Sequence, residues 1–150
     1  MKLATALAER SDIQNRINTI SARLDNNAKV QEGDVPAEDP KALMEELDRL
    51  IVRLEDLVAR INLTNSGTVY EGKTITEFLA HRDCLKKKVR VLRDFLNTAS
   101  DRVTRMTRTE IKIVSTVPVS EIQKTVDGLA KELRTVDEKI QELNWTTELV

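Results

Sequence analysis

Between Val119 and Leu143, eight apolar residues follow one another at alternating steps of three and four: Val119, Ile122, Val126, Leu129, Leu133, Val136, Ile140 and Leu143. A 3.6-residue turn returns every one of them to the same helical face. That face must be covered by another element, and the rest of the chain offers elements of the same kind. Leu3, Ala6, Ile13, Ile17, Ile20 and Leu24 repeat the spacing near the start, with Arg10 in one slot. Leu43, Leu47, Leu50, Leu54, Leu57 and Ile61 repeat it again, and Met44, Ile51 and Val58 widen that stripe on one side. Phe78, Leu85, Val89, Leu92, Leu96 and Ala99 form another stripe, with Arg82 in its polar slot. Four helices are predicted, over about 3–28, 40–63, 76–99 and 119–144. A stripe as wide as the second can touch two neighbours, which favours a bundle over an isolated two-stranded coil.

The punctuation agrees. Gly33, Pro36 and Pro40 end the first helix and leave an acidic loop over 29–39. Asp39 suits an N-cap and Pro40 the first helical position, where its missing donor costs nothing. Asn65-Ser66-Gly67 reads as turn chemistry. Thr68-Val69-Tyr70 and Lys73-Thr74-Ile75 flank Glu71-Gly72 as a short hairpin. Thr74 with Glu77, and Ser120 with Gln123, have the spacing of capping boxes. Arg102, Arg105 and Arg108 lie in a stretch without helical period, and 110–117, rich in Ile and Val, reads as a strand that pairs with the hairpin. The expected fold is mainly α: long antiparallel helices in a single helical domain, 1–150, with a β-hairpin or three-stranded element from 68–75 and 110–117. Helices of 24 to 28 residues are about 36–42 Å long. Rods longer than a small domain is wide leave apolar edge for a second subunit.

Composition narrows the function. Aromatics are 3% of the chain, so the core is aliphatic, and charged residues reach 33%. The net charge of −1 conceals a segregation. Residues 1–63 carry nine Lys/Arg against twelve Asp/Glu, 64–118 eleven against six, and 119–150 four against seven. A basic middle between acidic ends suits segments that attract one another, within or between chains. Cys84 is the single cysteine, so a disulfide-stapled secreted scaffold is excluded. The apolar start of the chain is cut short by Glu9-Arg10 before it reaches signal-peptide length. With no run of membrane-span length either, a cytoplasmic location and no membrane partner are expected.

The chemistry-bearing residues each admit a sharp and a plain reading. His81 and Cys84 are neighbours on a helix, which permits thiol or metal chemistry; beside Leu85, Cys84 reads more simply as a packed small hydrophobe. Glu45, Glu46, Asp48, Glu55 and Asp56 could suggest a di-metal bundle, but no Glu-x-x-His motif accompanies them and they sit off the apolar stripe. Arg82, Lys86, Arg90 and Arg93, with Lys87 and Lys88 beside them, form a basic helical face. They would serve either phosphate binding or pairing with acidic helices of the same assembly. Trp145 reads as an anchor of the chain end against the bundle rather than as a ligand-stacking platform.

Asn27-Ala28-Lys29-Val30-Gln31-Glu32-Gly33 with Glu38-Asp39-Pro40, Arg60-Ile61-Asn62 with Thr64-Asn65, Glu110-Ile111-Lys112 with Val114-Ser115-Thr116-Val117, and the closing Asn144-Trp145-Thr146-Thr147-Glu148-Leu149 resemble the septicolysin-like family of uncharacterised bacterial proteins. The resemblance implies a helical coiled-coil protein with a small β element, oligomeric, with no catalytic residues to carry over. The sequence has no aromatic membrane-binding loop and no long amphipathic β segment, so pore formation is not expected. The function expected is that of a structural or interaction protein, not an enzyme. It would form a homo-oligomer through apolar helix faces, without cofactor or metal. The alternative is a module that binds nucleic acid or another anionic partner through the basic face of the third helix.

Overall fold

The computed structural model describes residues 1–101 and 112–150. Among the described residues the chain is mainly helical with one small antiparallel sheet. Its elements are α1 (Leu3–Asn26), α2 (Pro40–Gly67), β1 (Val69–Tyr70), β2 (Lys73–Thr74), α3 (Ile75–Ser100) and α4 (Val119–Thr146). Two compact units divide it: Met1–Ile75 with Gln141–Val150, and Thr76–Ile140.

In the first unit α1 and α2 run antiparallel. Leu3, Ala6, Ile13 and Ile20 of α1 are buried, as are Leu43, Leu50, Leu57 and Ile61 of α2. Every position of the two central stripes is buried or half-buried, whereas Met44, Ile51 and Val58, which widen the α2 stripe, are exposed. Arg10 occupies its slot with Nε buried and, among the described residues, without a hydrogen-bond partner. One flank of the seam is sealed by charges one heptad apart. Glu9 accepts from Arg53 at 2.7 and 3.0 Å, Arg16 donates to Glu46 at 3.2 Å, and Arg23 meets Glu38 through two nitrogens. As the α1 partner advances by seven, the α2 partner retreats, which is the antiparallel register read from charges alone.

The loop after α1 is held by Asn27, which donates to Arg23 O at 2.8 Å and accepts from Glu38 N at 3.0 Å. Asp39 caps α2 as expected, accepting from Lys41 N at 3.0 Å, and Pro40 takes the first helical position.

The expected turn at Asn65-Ser66-Gly67 is instead the last turn of α2. Thr64 Oγ1 donates to Arg60 O at 2.8 Å and Ser66 Oγ to Asn62 O at 2.9 Å. Hydroxyls that bond back one turn let poor helix formers extend a helix.

The hairpin lies where the sequence places it, with Val69 opposite Thr74 and Tyr70 opposite Lys73. Both turn residues, Glu71 and Gly72, take positive φ, 48° and 79°, as a two-residue turn with matching twist requires. The sheet has two strands. The third strand expected over 110–117 begins outside the described residues, as do Arg102, Arg105 and Arg108; its residues 112–117 are not strand.

The chain ends close onto the same unit. Leu3 N donates to Thr147 O at 3.0 Å and Leu149 N to Met1 O at 2.8 Å. The Met1 amine and Lys2 Nζ reach Glu148 at 3.0 and 2.8 Å. Arg60 Nε donates to Val150 O, and Val150 N donates to Thr64 Oγ1 at 3.1 Å. Leu149 is 7% exposed, whereas Trp145 is 64% exposed. The anchor expected at Trp145 is thus provided by Leu149, because the backbone pairing with Met1 turns that side chain inward.

In the second unit the α3 and α4 stripes turn away from water. Leu85, Val89, Leu96, Val126 and Ile140 are buried and the other stripe residues half-buried. His81 Nε2 lies 3.1 Å from Glu132, and Arg82 Nε 3.9 Å from Asp137. Pro118 O accepts from Glu121 N and Ile122 N, so α4 starts at Val119. Ser120 therefore lies inside the helix, and Gln123 bonds Asp127 at 2.8 Å rather than closing a box.

Candidate interaction site

Ion pairs line one side of the α1/α2 seam, and on the other side α2 carries exposed apolar residues. A helix turns roughly 100° per residue. On that scale Met44, Ile51 and Val58 lie within about 40° of one another, on the side of the α2 core stripe remote from Arg53 and Glu46. They are 36–51% exposed, a contiguous apolar row at heptad spacing, continued inward by half-buried Leu47 and Leu54. The outer edge of the row is acidic: Asp48 and Glu55 are exposed and, among the described residues, without an ion-pair partner.

On α3 the four expected basic residues divide. Arg82 is occupied, donating from Nε to Asp83 Oδ1 at 2.9 Å, and its side chain is only 23% exposed. Lys86, Arg90 and Arg93 are exposed and unpaired among the described residues, and they share an arc of about 60°. On another side of α3 runs a second strip that the heptad reading had not singled out. Ala80, Cys84, Val91 and Phe95 are all exposed, with Lys87 on one edge and Lys88 on the other. Val91 is 60% and Phe95 42% exposed. Cys84 was expected to pack beside Leu85; one residue along the helix is about 100° of rotation, which carries its thiol to the surface.

The remaining candidates have simple surroundings. His81 faces Glu132. Of the acids considered for a metal, Glu46 is paired with Arg16, Asp56 with Arg53 and Arg60. Among the described residues no group of three or more His, Cys, Asp or Glu could hold a metal ion. Among the described residues no helix is long and apolar enough to cross a membrane.

Three carboxylates are held below the usual carboxylate range: Glu9 by the hydrogen bond from Arg53, Glu38 by that from Arg23, and Glu148 by Lys2 and the Met1 amine. Their folded forms bind protons less readily than their unfolded forms. Their stabilisation is therefore complete above about pH 4.5 and is lost as pH falls through the lowered folded values. Thermal melts from about pH 7 to pH 3 are expected to show the melting temperature dropping in that window, with a smaller drop in Arg53→Gln. An acid profile identical in Arg53→Gln would remove Glu9 from this account.

Residues 10–149 match a family described as a family of unknown function, DUF6847. Among solved structures, a functionally unknown conserved protein from Corynebacterium diphtheriae is 46% identical, with a TM-score of 0.92 over 100% of this chain and 99% of that one. No curated protein matches. Since the family match spans nearly the whole chain, this protein belongs to the DUF6847 family of unknown function.

Proposed function

We propose that the protein is a non-catalytic structural or interaction protein that self-associates through apolar helix faces. The observation that supports this most directly is the Met44, Ile51 and Val58 row. A monomer would leave the row in water along a seam whose opposite flank is closed by ion pairs. Burying an apolar row of this kind is the main drive for helix association. The protein is expected to sediment at equilibrium, at micromolar concentration, with a mass well above the 17.0 kDa of one chain. A concentration-independent mass of one chain would defeat the reading.

A second reading draws on Lys86, Arg90 and Arg93, three cations on one arc that are unpaired among the described residues: the face would take an anionic partner such as nucleic acid. Binding of that kind weakens steeply with salt, in proportion to the phosphates neutralised. Fluorescence anisotropy with labelled oligonucleotides at low and physiological salt separates the readings. Self-association as the main function predicts weak, non-specific binding only, and submicromolar binding at physiological salt would promote the second reading.

A further inference from the structure

The two exposed apolar strips differ in the sign of their edges. The α2 strip, Met44, Ile51 and Val58, is bordered by Asp48 and Glu55. The α3 strip, Cys84, Val91 and Phe95, is bordered by Lys87 and Lys88. None of these four charges has an ion-pair partner among the described residues. The α2 strip, 44, 51 and 58, steps by seven, and the α3 strip, 84, 91 and 95, by seven and then four, so each holds one helical face. Steps of seven or four both keep a strip on one face, so two such helices can lie side by side over several turns, apolar residues inward and edge charges facing across.

We infer that the α2 strip of one copy docks on the α3 strip of a second copy. This specifies the surface for the self-association proposed above and rests on it. Sign decides the pairing. Two α2 strips laid together would set Asp48 and Glu55 against the same acids, and two α3 strips would set lysines against lysines. Like charges across a seam oppose association, whereas opposite charges fix partner and register. Each copy carries both strips, so a second copy supplies the complement of either one. An apolar centre with charged edges is also the usual anatomy of a protein interface.

Charge reversal tests the pairing directly. Asp48→Lys with Glu55→Lys gives a chain whose two strips are both basic; Lys87→Glu with Lys88→Glu gives one whose strips are both acidic. Each variant alone is expected to self-associate about tenfold or more weakly than the wild type in sedimentation equilibrium. Mixed one to one, they are expected to associate with each other near the wild-type affinity, because every α2–α3 contact in the mixed pair joins opposite signs. Circular dichroism of each variant confirms that the helices persist, and rescue by mixing cannot come from a misfolded chain. Cys84 gives an independent reading from within the strip. Its rate of maleimide labelling in the wild type is expected to fall as protein concentration rises through the association range. Variants that associate as the wild type does, a mixture that stays apart, or labelling independent of concentration would each overturn the α2–α3 surface while leaving self-association standing. A wild-type chain of monomeric mass at every concentration would overturn both.

Discussion

Leu57→Ala is expected to lower the free energy of unfolding by about 2–5 kcal/mol, the usual range for truncating a fully buried leucine. Leu57 has no exposed surface; it lies on the α2 stripe that faces α1, with Ile61 one turn on and Leu50 two turns back. Shortening it removes the transfer energy of the lost methyl groups and leaves a cavity between the two helices. Those helices cannot close on it without moving the Glu9–Arg53 and Arg16–Glu46 pairs. Val52→Ala, five residues away on the same helix and 68% exposed, is the control and is expected to change stability by no more than about 0.5 kcal/mol. Urea denaturation followed by circular dichroism measures both. Because the chain has two compact units, the comparison is best made on the transition that Leu57→Ala shifts. Equal midpoints for the two variants would mean that α2 does not bury the face assigned to it.

The four stripes were legible because each rests on a local rule. An apolar residue at every third or fourth position commits a segment to one helical face whatever lies beyond it, and the residues of the four central stripes are buried or half-buried. The hairpin was legible for a similar reason: Glu71-Gly72 is short, polar and able to take positive φ between two β-prone pairs. What escaped depends on groups distant in sequence or on angle rather than spacing. The end of α2 was misplaced because Asn65-Ser66-Gly67 has turn composition, while the hydroxyl bonds of Thr64 and Ser66 and the burial of Thr64 keep it helical. Cys84 was misplaced because adjacency to a core leucine is not adjacency to the core.

The candidate site was half legible. Lys86, Arg90 and Arg93 are exposed and, among the described residues, unpaired, but Arg82 belongs to the contacts around Asp83 and Asp137. The Met44–Ile51–Val58 row was visible as a widening of the stripe; its exposure was not, because it depends on the ion pairs lying on the opposite side of the seam. Those pairs had a signal in the sequence. Glu9, Arg16 and Arg23 are spaced by seven, as are Glu46 and Arg53, and such rows mark the edge of an antiparallel helix pair.

Leu149→Asp is expected to cost several kcal/mol, because it places an unpaired carboxylate where the structure has a buried leucine and must either bury that charge or expel the tail. Expulsion is the cheaper course, and it has a distinct consequence. Leu149 N would leave Met1 O, Val150 N would leave Thr64 Oγ1, and Glu148 would leave Lys2 and the Met1 amine. The loss would thus reach the start of α1 and the end of α2 together. Hydrogen exchange should read it as faster exchange at Leu3, whose amide bonds Thr147 O, as well as at Leu149 and Val150. Trp145→Ala removes a far larger side chain only four residues earlier, yet it is expected to change stability by less than about 0.5 kcal/mol, since the ring is mostly in water. The contrast separates the two views of how the chain end is held. If the closing segment is pinned by its aromatic residue, Trp145→Ala should release the Leu3 amide and Leu149→Asp should not. If it is pinned by Leu149 and by backbone bonds between residues nearly the whole chain apart, the order reverses. Slow exchange at Leu3 in Leu149→Asp would show that the pairing of the two chain ends survives without its buried side chain.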